Sequence, residues 1–262
     1  MRDSSEPILN VPPVLAVTLA LLCLIHAVRV ALLTARANAE FLLLFAFIPA
    51  RYDSTVLAQG AVPGGIAADV WTFVTYALIH GDITHLGLNA VWLLAFGTPV
   101  ARRFGPRRFL VFFAVTAAAG AGVHLATHPG ELAPMVGASA AISGYMAAAM
   151  RFAFQGGGPL DLWRRHDPNS YRVPAAPLSA TLRDPRILAF LAVWFGLNVL
   201  LGLGTLTITE GEAPIAWQAH IGGFLAGLLL FAAFDPVGRA VPHPDPEEPD
   251  SAPPVPPAPP AP

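Results

Sequence analysis

Long runs of apolar residues separated by short polar connections dominate the sequence. A helix needs about 20 consecutive apolar residues to span a bilayer. Six stretches approach that length: 13–33, 82–101, 109–127, 136–154, 186–204 and 216–234. The pattern predicts an all-α polytopic membrane protein, in which these stretches form a bundle of six transmembrane helices, numbered here as spans one to six.

The connection between spans one and two is unusually long and contains two shorter apolar stretches. Residues 41–48 and 70–79 do not reach spanning length, and we expect them to be interfacial or re-entrant pieces of a long first external loop. A single overlong helix over residues 70–101 is the alternative. Gly81 and Asp82 disfavour it, because this pair is a polar turn signal and Asp82 is a suitable helix-starting residue.

Composition agrees with membrane insertion. The 262 residues are 55% hydrophobic and 12% charged, whereas soluble domains carry about 25% charged residues. The formal net charge of −2 gives no basic surface for nucleic acid, so the lipid bilayer is the expected partner. We divide the chain into a cytoplasmic N-terminal segment (1–12), a membrane domain (13–235) and a Pro-rich, disordered cytoplasmic tail (236–262).

Arginine placement predicts the orientation in the membrane. The loops after spans three and five carry no arginine, although the first loop holds Arg36 and Arg51. Positive residues favour the cytoplasmic side, which puts both termini in the cytoplasm. The arginines of the connections after spans two and four are Arg102, Arg103, Arg107, Arg108, Arg164, Arg165, Arg172 and Arg183.

Polar residues interrupt three spans near their predicted outer ends, where an unpaired polar group is costly and therefore suggests function. Ser139 begins span four among small residues, and His220 begins span six, followed by Gly223 and Gly227. Small residues on the facing sides of spans four and six, among them Gly137 near the serine, allow the two helices to approach closely. The pattern indicates that Ser139 is a nucleophile and His220 its base. The alternative is that both helices simply pack through small residues, with an incidental serine and a structural histidine.

Apart from Asp82 at the start of span two, no acid lies inside any span to orient the base. We therefore expect a Ser139–His220 dyad, with an aromatic ring or a carbonyl holding the imidazole. His85 and Asn89 share one face of span two. With the Ser139 N–H they are candidate donors to an oxyanion.

A metal site is the rival interpretation of the histidines, since four of them are possible ligands. Zinc sites usually present closely spaced histidines or thiolates, and no cysteine or acid joins this set, so we predict neither a metal nor a cofactor. His26 and His124 are expected to be structural, and Arg29 to extend to the outer interface. The four candidate ligands are His80, His85, His124 and His220.

Over roughly residues 40–235, the chain resembles the rhomboid family of intramembrane serine proteases. The resemblance implies Ser139 as nucleophile, His220 as base, and an oxyanion hole formed by His85, Asn89 and the Ser139 N–H. It also implies that His80 closes the site from above. The residues that carry it are Trp71, His80-x4-His85-x3-Asn89, Gly137-x-Ser139 and Ala219-His220-x2-Gly223-x3-Gly227.

Two departures from the family pattern lie next to the serine. Ala140 stands where the family often has glycine, and Ser143 stands where it often has an aromatic residue that stacks on the base. What orients His220 is therefore open.

We predict an intramembrane endopeptidase that cleaves transmembrane segments of other membrane proteins near the outer face of a bacterial plasma membrane. One alternative is a rhomboid-like protein that binds membrane clients without cutting them, which usually lacks the serine or the histidine. The other is a small transporter, which favours broken helices at the midplane. The sequence leaves open the substrate, the oligomeric state, and the roles of the 155–183 loop and the tail.

Overall fold

The computed structural model describes residues 11–57, 63–161, 167–202 and 215–237. Within these ranges the chain is largely helical and has no strand. An isolated antiparallel bridge joins Phe47 and Met135. Almost all of the predicted N-terminal segment and Pro-rich tail lie outside the described residues. The α-helices are α1 (Pro13–Leu32), α2 (Ala35–Phe45), α3 (Ser54–Leu57), α4 (Gly65–Thr75), α5 (Ile83–Trp92), α6 (Thr98–Thr127), α7 (Ser139–Met150), α8 (Leu178–Thr181), α9 (Pro185–Gly202) and α10 (Trp217–Phe234).

A helix lies in each of the six predicted windows, so the all-α fold is confirmed. Among the described residues, three helical stretches are long and apolar enough to cross a membrane, and these are α1, α10 and the 45-residue stretch Ile83–Thr127. That stretch kinks at Gly105, which has a φ of 73° and precedes Pro106. Proline cannot continue the hydrogen-bond ladder of a helix interior, so spans two and three form on either side of the kink.

The polar turn before span two is present as predicted. Asp82 caps α5, because its side-chain oxygen accepts a hydrogen bond from the His85 N–H at 2.9 Å. Residues 70–101 are therefore not one helix. The first connection instead contains the helices α2 and α4, which overlap the two shorter apolar stretches.

Helix α7 forms the centre of the bundle. It has only 12 residues, fewer than its predicted window, and every residue after Ser139 is buried. Its neighbours α6 and α10 approach closely because the contacts are made by small residues. A methyl group at Gly223 would overlap the Ala140 carbonyl, and one at Gly227 would overlap the Gly144 carbonyl.

Buried arginines hold the other end of the bundle, where α7 and α10 end. Arg103 pairs with Asp235 through two hydrogen bonds of 2.8 and 2.9 Å, and it donates to the carbonyls of Tyr171 and Val173, each at 2.8 Å. The Arg103 side chain is 0% exposed. We call this region the arginine end, and the region around the first turns of α7 and α10 the serine end.

Candidate active site

Ser139 and His220 are in hydrogen-bond contact at the serine end. Ser139 is the first residue of α7 and His220 lies in the first turn of α10. The distance from His220 Nε2 to Ser139 Oγ is 2.6 Å. The close approach of α10 to α7 at Gly223, one turn further along, brings the two side chains together. This is the separation that a base needs in order to take a hydroxyl proton.

The other ring nitrogen of His220 contacts a residue that the sequence motifs did not include. His220 Nδ1 lies 2.5 Å from Asn198 Oδ1, and Asn198 Nδ2 donates to the Trp194 carbonyl at 2.8 Å. Because the amide nitrogen is engaged within α9, the oxygen faces the ring. An acceptor at Nδ1 favours the tautomer that carries its proton there, which leaves the Nε2 lone pair directed at Ser139.

Asn198 holds the ring of His220. Among the described residues, the contact to its Nδ1 comes from a side-chain amide on α9 and not from an aromatic ring or a backbone carbonyl. The sequence signal for Asn198 is that it is the single amide inside the apolar window 186–204. A requirement for an acidic residue does not detect it. Asn198 is buried, as a polar residue within a span is when it faces the interior.

The two polar side chains of α7 after Ser139 make other contacts. Ser143 Oγ donates to the Ser139 carbonyl at 2.8 Å. Tyr145 donates to the Phe109 carbonyl at 2.9 Å and stacks on the Phe109 ring, with centroids 4.5 Å apart. The imidazole of His220 is thus held by a hydrogen bond rather than by an aromatic ring of α7.

His85 lies against the segment that leads into Ser139. A Cβ on Gly137 would come within 2.6 Å of His85 Nε2, and Gly137 has a φ of +123°, a conformation that favours glycine. The Gly81 N–H points to His85 Nδ1 at 3.4 Å. With Nδ1 as acceptor, Nε2 carries the hydrogen and faces Gly137, two residues before the serine.

Asn89 lies one turn further along α5 and is held by its own helix. Its Nδ2 donates to the His85 carbonyl at 2.9 Å. Its Oδ1 is buried and has no hydrogen-bond partner among the described residues. The hydrogen bonds of Asn89 thus run to α5, and none joins it to Ser139 or His220 within the described part of the chain.

His80 contacts the residue that precedes Ser139. It is fully buried, and its Nε2 faces the Ala138 N–H at 3.4 Å. Its ring meets that of His85 edge to face, with centroids 5.1 Å apart. The expectation that Arg29 reaches the outer interface is wrong: Arg29 is buried, and it donates to the His80 carbonyl at 2.7 Å and to Asn38 at 3.0 Å.

The structure does not group His124 with the other three histidines that were considered as metal ligands. His124 stacks on His128, with ring centroids 4.6 Å apart, and approaches Glu131. His80 and His85 adjoin each other, and His220 contacts Ser139 and Asn198.

Comparison with known proteins agrees with this architecture. The family model of the Rhomboid domain matches residues 67–235. RHOMBOID-like protein 12, mitochondrial, from Arabidopsis thaliana is 29% identical over 170 residues, which are 62% of this chain and 45% of the plant protein. Rhomboid-like protease 3 from Toxoplasma gondii is 29% identical over 188 residues, covering 70% of this chain and 59% of the relative.

A bacterial relative is similar over a shorter region. Rhomboid protease GluP from Bacillus subtilis (strain 168) is 34% identical over 101 residues, 38% of this chain and 19% of that protein. The chain spans about half the length of the first two relatives. The family match covers well over half of the chain and includes every residue of the Ser139–His220–Asn198 cluster, and so the chain is an integral membrane protein that belongs to the rhomboid family.

Proposed function

We propose that the protein is an intramembrane serine endopeptidase with Ser139 as nucleophile and His220 as general base. The observation that carries the proposal is the 2.6 Å contact between Ser139 Oγ and His220 Nε2, within a bundle whose neighbouring side chains are small and apolar. A half-buried hydroxyl–imidazole pair whose far nitrogen is held by a third group is the arrangement that activates a serine.

The reaction follows from the protons that these groups hold. Ser139 Oγ attacks the carbonyl carbon of the scissile peptide bond while its proton passes to His220 Nε2. The imidazolium then gives that proton to the leaving amine, and an acyl-enzyme remains. Water attacks the acyl-enzyme with His220 again accepting the proton, which releases the new carboxyl end and restores the serine.

In this proposal, the donors for the developing oxyanion come from the start of α7 and from α5. The Ser139 N–H lies in the first turn of that helix, where N–H groups have no carbonyl partner within the helix and favour negative charge. His85 Nε2 faces Gly137 nearby. Asn89 Nδ2 is the third donor of the proposal, and in the free protein it is bonded to the His85 carbonyl.

Asn198 is the positioning residue of the mechanism. It touches the base and not the reacting atoms, and it acts by holding the imidazole in the tautomer and orientation that face Ser139. An aspartate at this position is the usual device in soluble serine hydrolases. A neutral amide avoids the cost of burying a charge in an apolar bundle.

The proposed substrates are transmembrane segments of other membrane proteins, which reach the site from the bilayer. A helical peptide bond must unwind before a nucleophile can attack it, so small or helix-breaking residues at the scissile bond are part of the proposal. The arginine distribution supports cytoplasmic termini and a site near the outer face. We propose a bacterial plasma membrane as the location of the protein. The names of two relatives, Rhomboid-like protease 3 and Rhomboid protease GluP, support proteolysis as the activity.

Cleavage in a reconstituted bilayer tests this function. Purified protein in proteoliposomes is incubated with a panel of single-span substrates that differ in helix-breaking residues, and products are mapped by mass spectrometry. We expect the wild type and Ser179→Ala to cleave equally, since Ser179 is an exposed serine of α8. Ser139→Ala should be inactive. Cleavage by Ser139→Ala at the wild-type rate contradicts the assignment, and a wild type that binds the panel without cutting supports a client-binding protein.

A further inference from the structure

A second cluster of chemically active side chains lies outside the proposed active site. His124 occupies the last turn of α6, His128 follows the helix directly, and Glu131 lies three residues further in the connection to α7. The potential ligand atoms of the three residues all lie within 4.8 Å of one another. Their spacing, His124-x3-His128-x2-Glu131, is visible in the sequence but lies outside the polar motifs.

Two buried polar atoms in this cluster have no hydrogen-bond partner among the described residues. His124 Nε2 lies 3.5 Å from Glu131 Oε2, beyond the usual range for a hydrogen bond. Glu131 Oε2 and His124 Nδ1 are buried and have no hydrogen-bond partner in the part of the chain that the structure describes. Such groups are costly to bury unpaired. Around a tetrahedral metal with ligand bonds of about 2.0–2.1 Å, two ligand atoms lie about 3.3 Å apart. The 3.5 Å between His124 Nε2 and Glu131 Oε2 is close to that distance.

His128 is oriented as a metal-bound histidine is. Its Nδ1 lies 2.9 Å from Thr127 Oγ1, and the Thr127 hydroxyl lies 2.9 Å from the Val123 carbonyl. Because the hydroxyl donates its single hydrogen to a backbone carbonyl, Oγ1 accepts from the Nδ1–H. The Nε2 lone pair of His128 is then free, and a fixed donor contact on the opposite nitrogen is the usual support for a ligating imidazole.

We propose that His124, His128 and Glu131 bind one divalent transition-metal ion of the Zn²⁺ type, with water at the remaining position. Two imidazoles and a carboxylate match the nitrogen and oxygen ligands that Zn²⁺ accepts. The site is separate from the proposed endopeptidase site and goes beyond that function. It differs from the sequence-based expectations of no metal and of a structural His124, which stay predictions.

The ion would anchor the connection that leads into Ser139. The Glu131 carbonyl accepts a hydrogen bond from the Ala50 N–H at 2.9 Å, and Met135 pairs with Phe47. Metal binding at Glu131 would therefore fix both the end of α6 and the part of the first loop that packs on this connection. The expected consequence is higher thermal stability of the metal-loaded protein.

Metal binding is tested on full-length protein purified in detergent with an affinity tag that contains no histidine. After chelation and buffer exchange, Zn²⁺ is added while the heat of binding and the Tm are measured. We expect one equivalent bound and a raised Tm. His128→Ala and Glu131→Gln should both abolish binding, and Thr127→Val should weaken it about 10–100-fold. Glu40→Gln, at an exposed carboxylate of α2, should bind as the wild type does.

Three results overturn the proposal. The wild type fails to bind Zn²⁺, or the His128→Ala and Glu131→Gln variants bind as tightly as the wild type, or binding is lost in His85→Ala but retained in Glu131→Gln. Glu131→Gln preserves the shape of the side chain, so it carries the test even where His128→Ala folds poorly. None of these readouts depends on proteolysis, and an inactive protein that binds Zn²⁺ refutes only the proposed function.

Discussion

The serine end and the arginine end of the bundle both bury polar side chains, but they treat them differently. At the arginine end, Arg103 makes two hydrogen bonds to Asp235 and two to backbone carbonyls, and it lies over the Phe152 ring. At the serine end, His80 Nδ1 and Asn89 Oδ1 stay buried without hydrogen-bond partners among the described residues. The Arg103–Asp235 pair joins structural elements, whereas His80 and Asn89 are neutral groups that keep unused hydrogen-bonding capacity at the serine end.

Breaking the arginine end tests the stabilising side of this comparison and should have the largest effect. Arg103→Met leaves the buried Asp235 carboxylate without its partner, and loss of one member of a buried ion pair typically costs about 3–5 kcal/mol. We expect a large fall in the free energy of unfolding, measured by denaturant titration in detergent, with cleavage per folded molecule retained.

The matched control is Arg36→Met. Arg36 pairs with Glu40 on the surface of α2, where its side chain is 90% exposed, and exposed pairs contribute little. Equal stability of Arg103→Met and Arg36→Met would show that the arginine end does not hold the bundle together.

Glycine substitutions test how closely α10 must approach α7 at the serine end. Gly223→Ala forces a methyl group into the Ala140 carbonyl, and such overpacking typically costs about 1–3 kcal/mol. It should also separate His220 from Ser139 and lower the cleavage rate. Gly122→Ala is the control, because its Cβ would meet nothing within 4 Å. The close-packing account fails if both variants match the wild type in Tm and rate.

Asn198→Ala tests the positioning of the base and should have the smallest effect on free energy. Without an acceptor at Nδ1 the imidazole samples unproductive orientations, and we expect kcat to fall about tenfold, or about 1.4 kcal/mol, with KM unchanged. Leu197→Ala removes an exposed neighbour on α9 and should leave kcat unchanged. A KM effect in Asn198→Ala, or equal kcat in the two variants, would assign Asn198 a structural role only.

Local signals made much of the fold predictable. The apolar windows located a helix in each of six stretches, and Asp82 marked the start of α5 because helix capping depends on neighbouring residues. The window of span four was too long at both ends, since residues 151–154 form turns and residues 136–138 belong to a loop. Next to them in this loop, Met135 pairs with Phe47, a contact between segments distant in sequence. Long-range packing of this kind leaves no local periodic signal.

The site was only partly predictable for the same reason. Ser139 and His220 each lie in a motif of polar and small residues within an apolar window, so each is recognisable from the sequence alone. Asn198 is one amide in an otherwise apolar stretch, and its importance depends on how α9 meets α10. Arg29 was misassigned because its position near the end of span one resembles an interfacial residue, while its partners, Asn38 and the His80 carbonyl, come from other elements.

The most direct test of the central claim is covalent labelling of the detergent-purified protein with a fluorophosphonate probe, followed by peptide mapping. Activation of Ser139 by His220 predicts one adduct on Ser139 in the wild type and none in Ser139→Ala or His220→Ala. Equal labelling of the wild type and Ser139→Ala, or an adduct on another residue of the wild type, would contradict it.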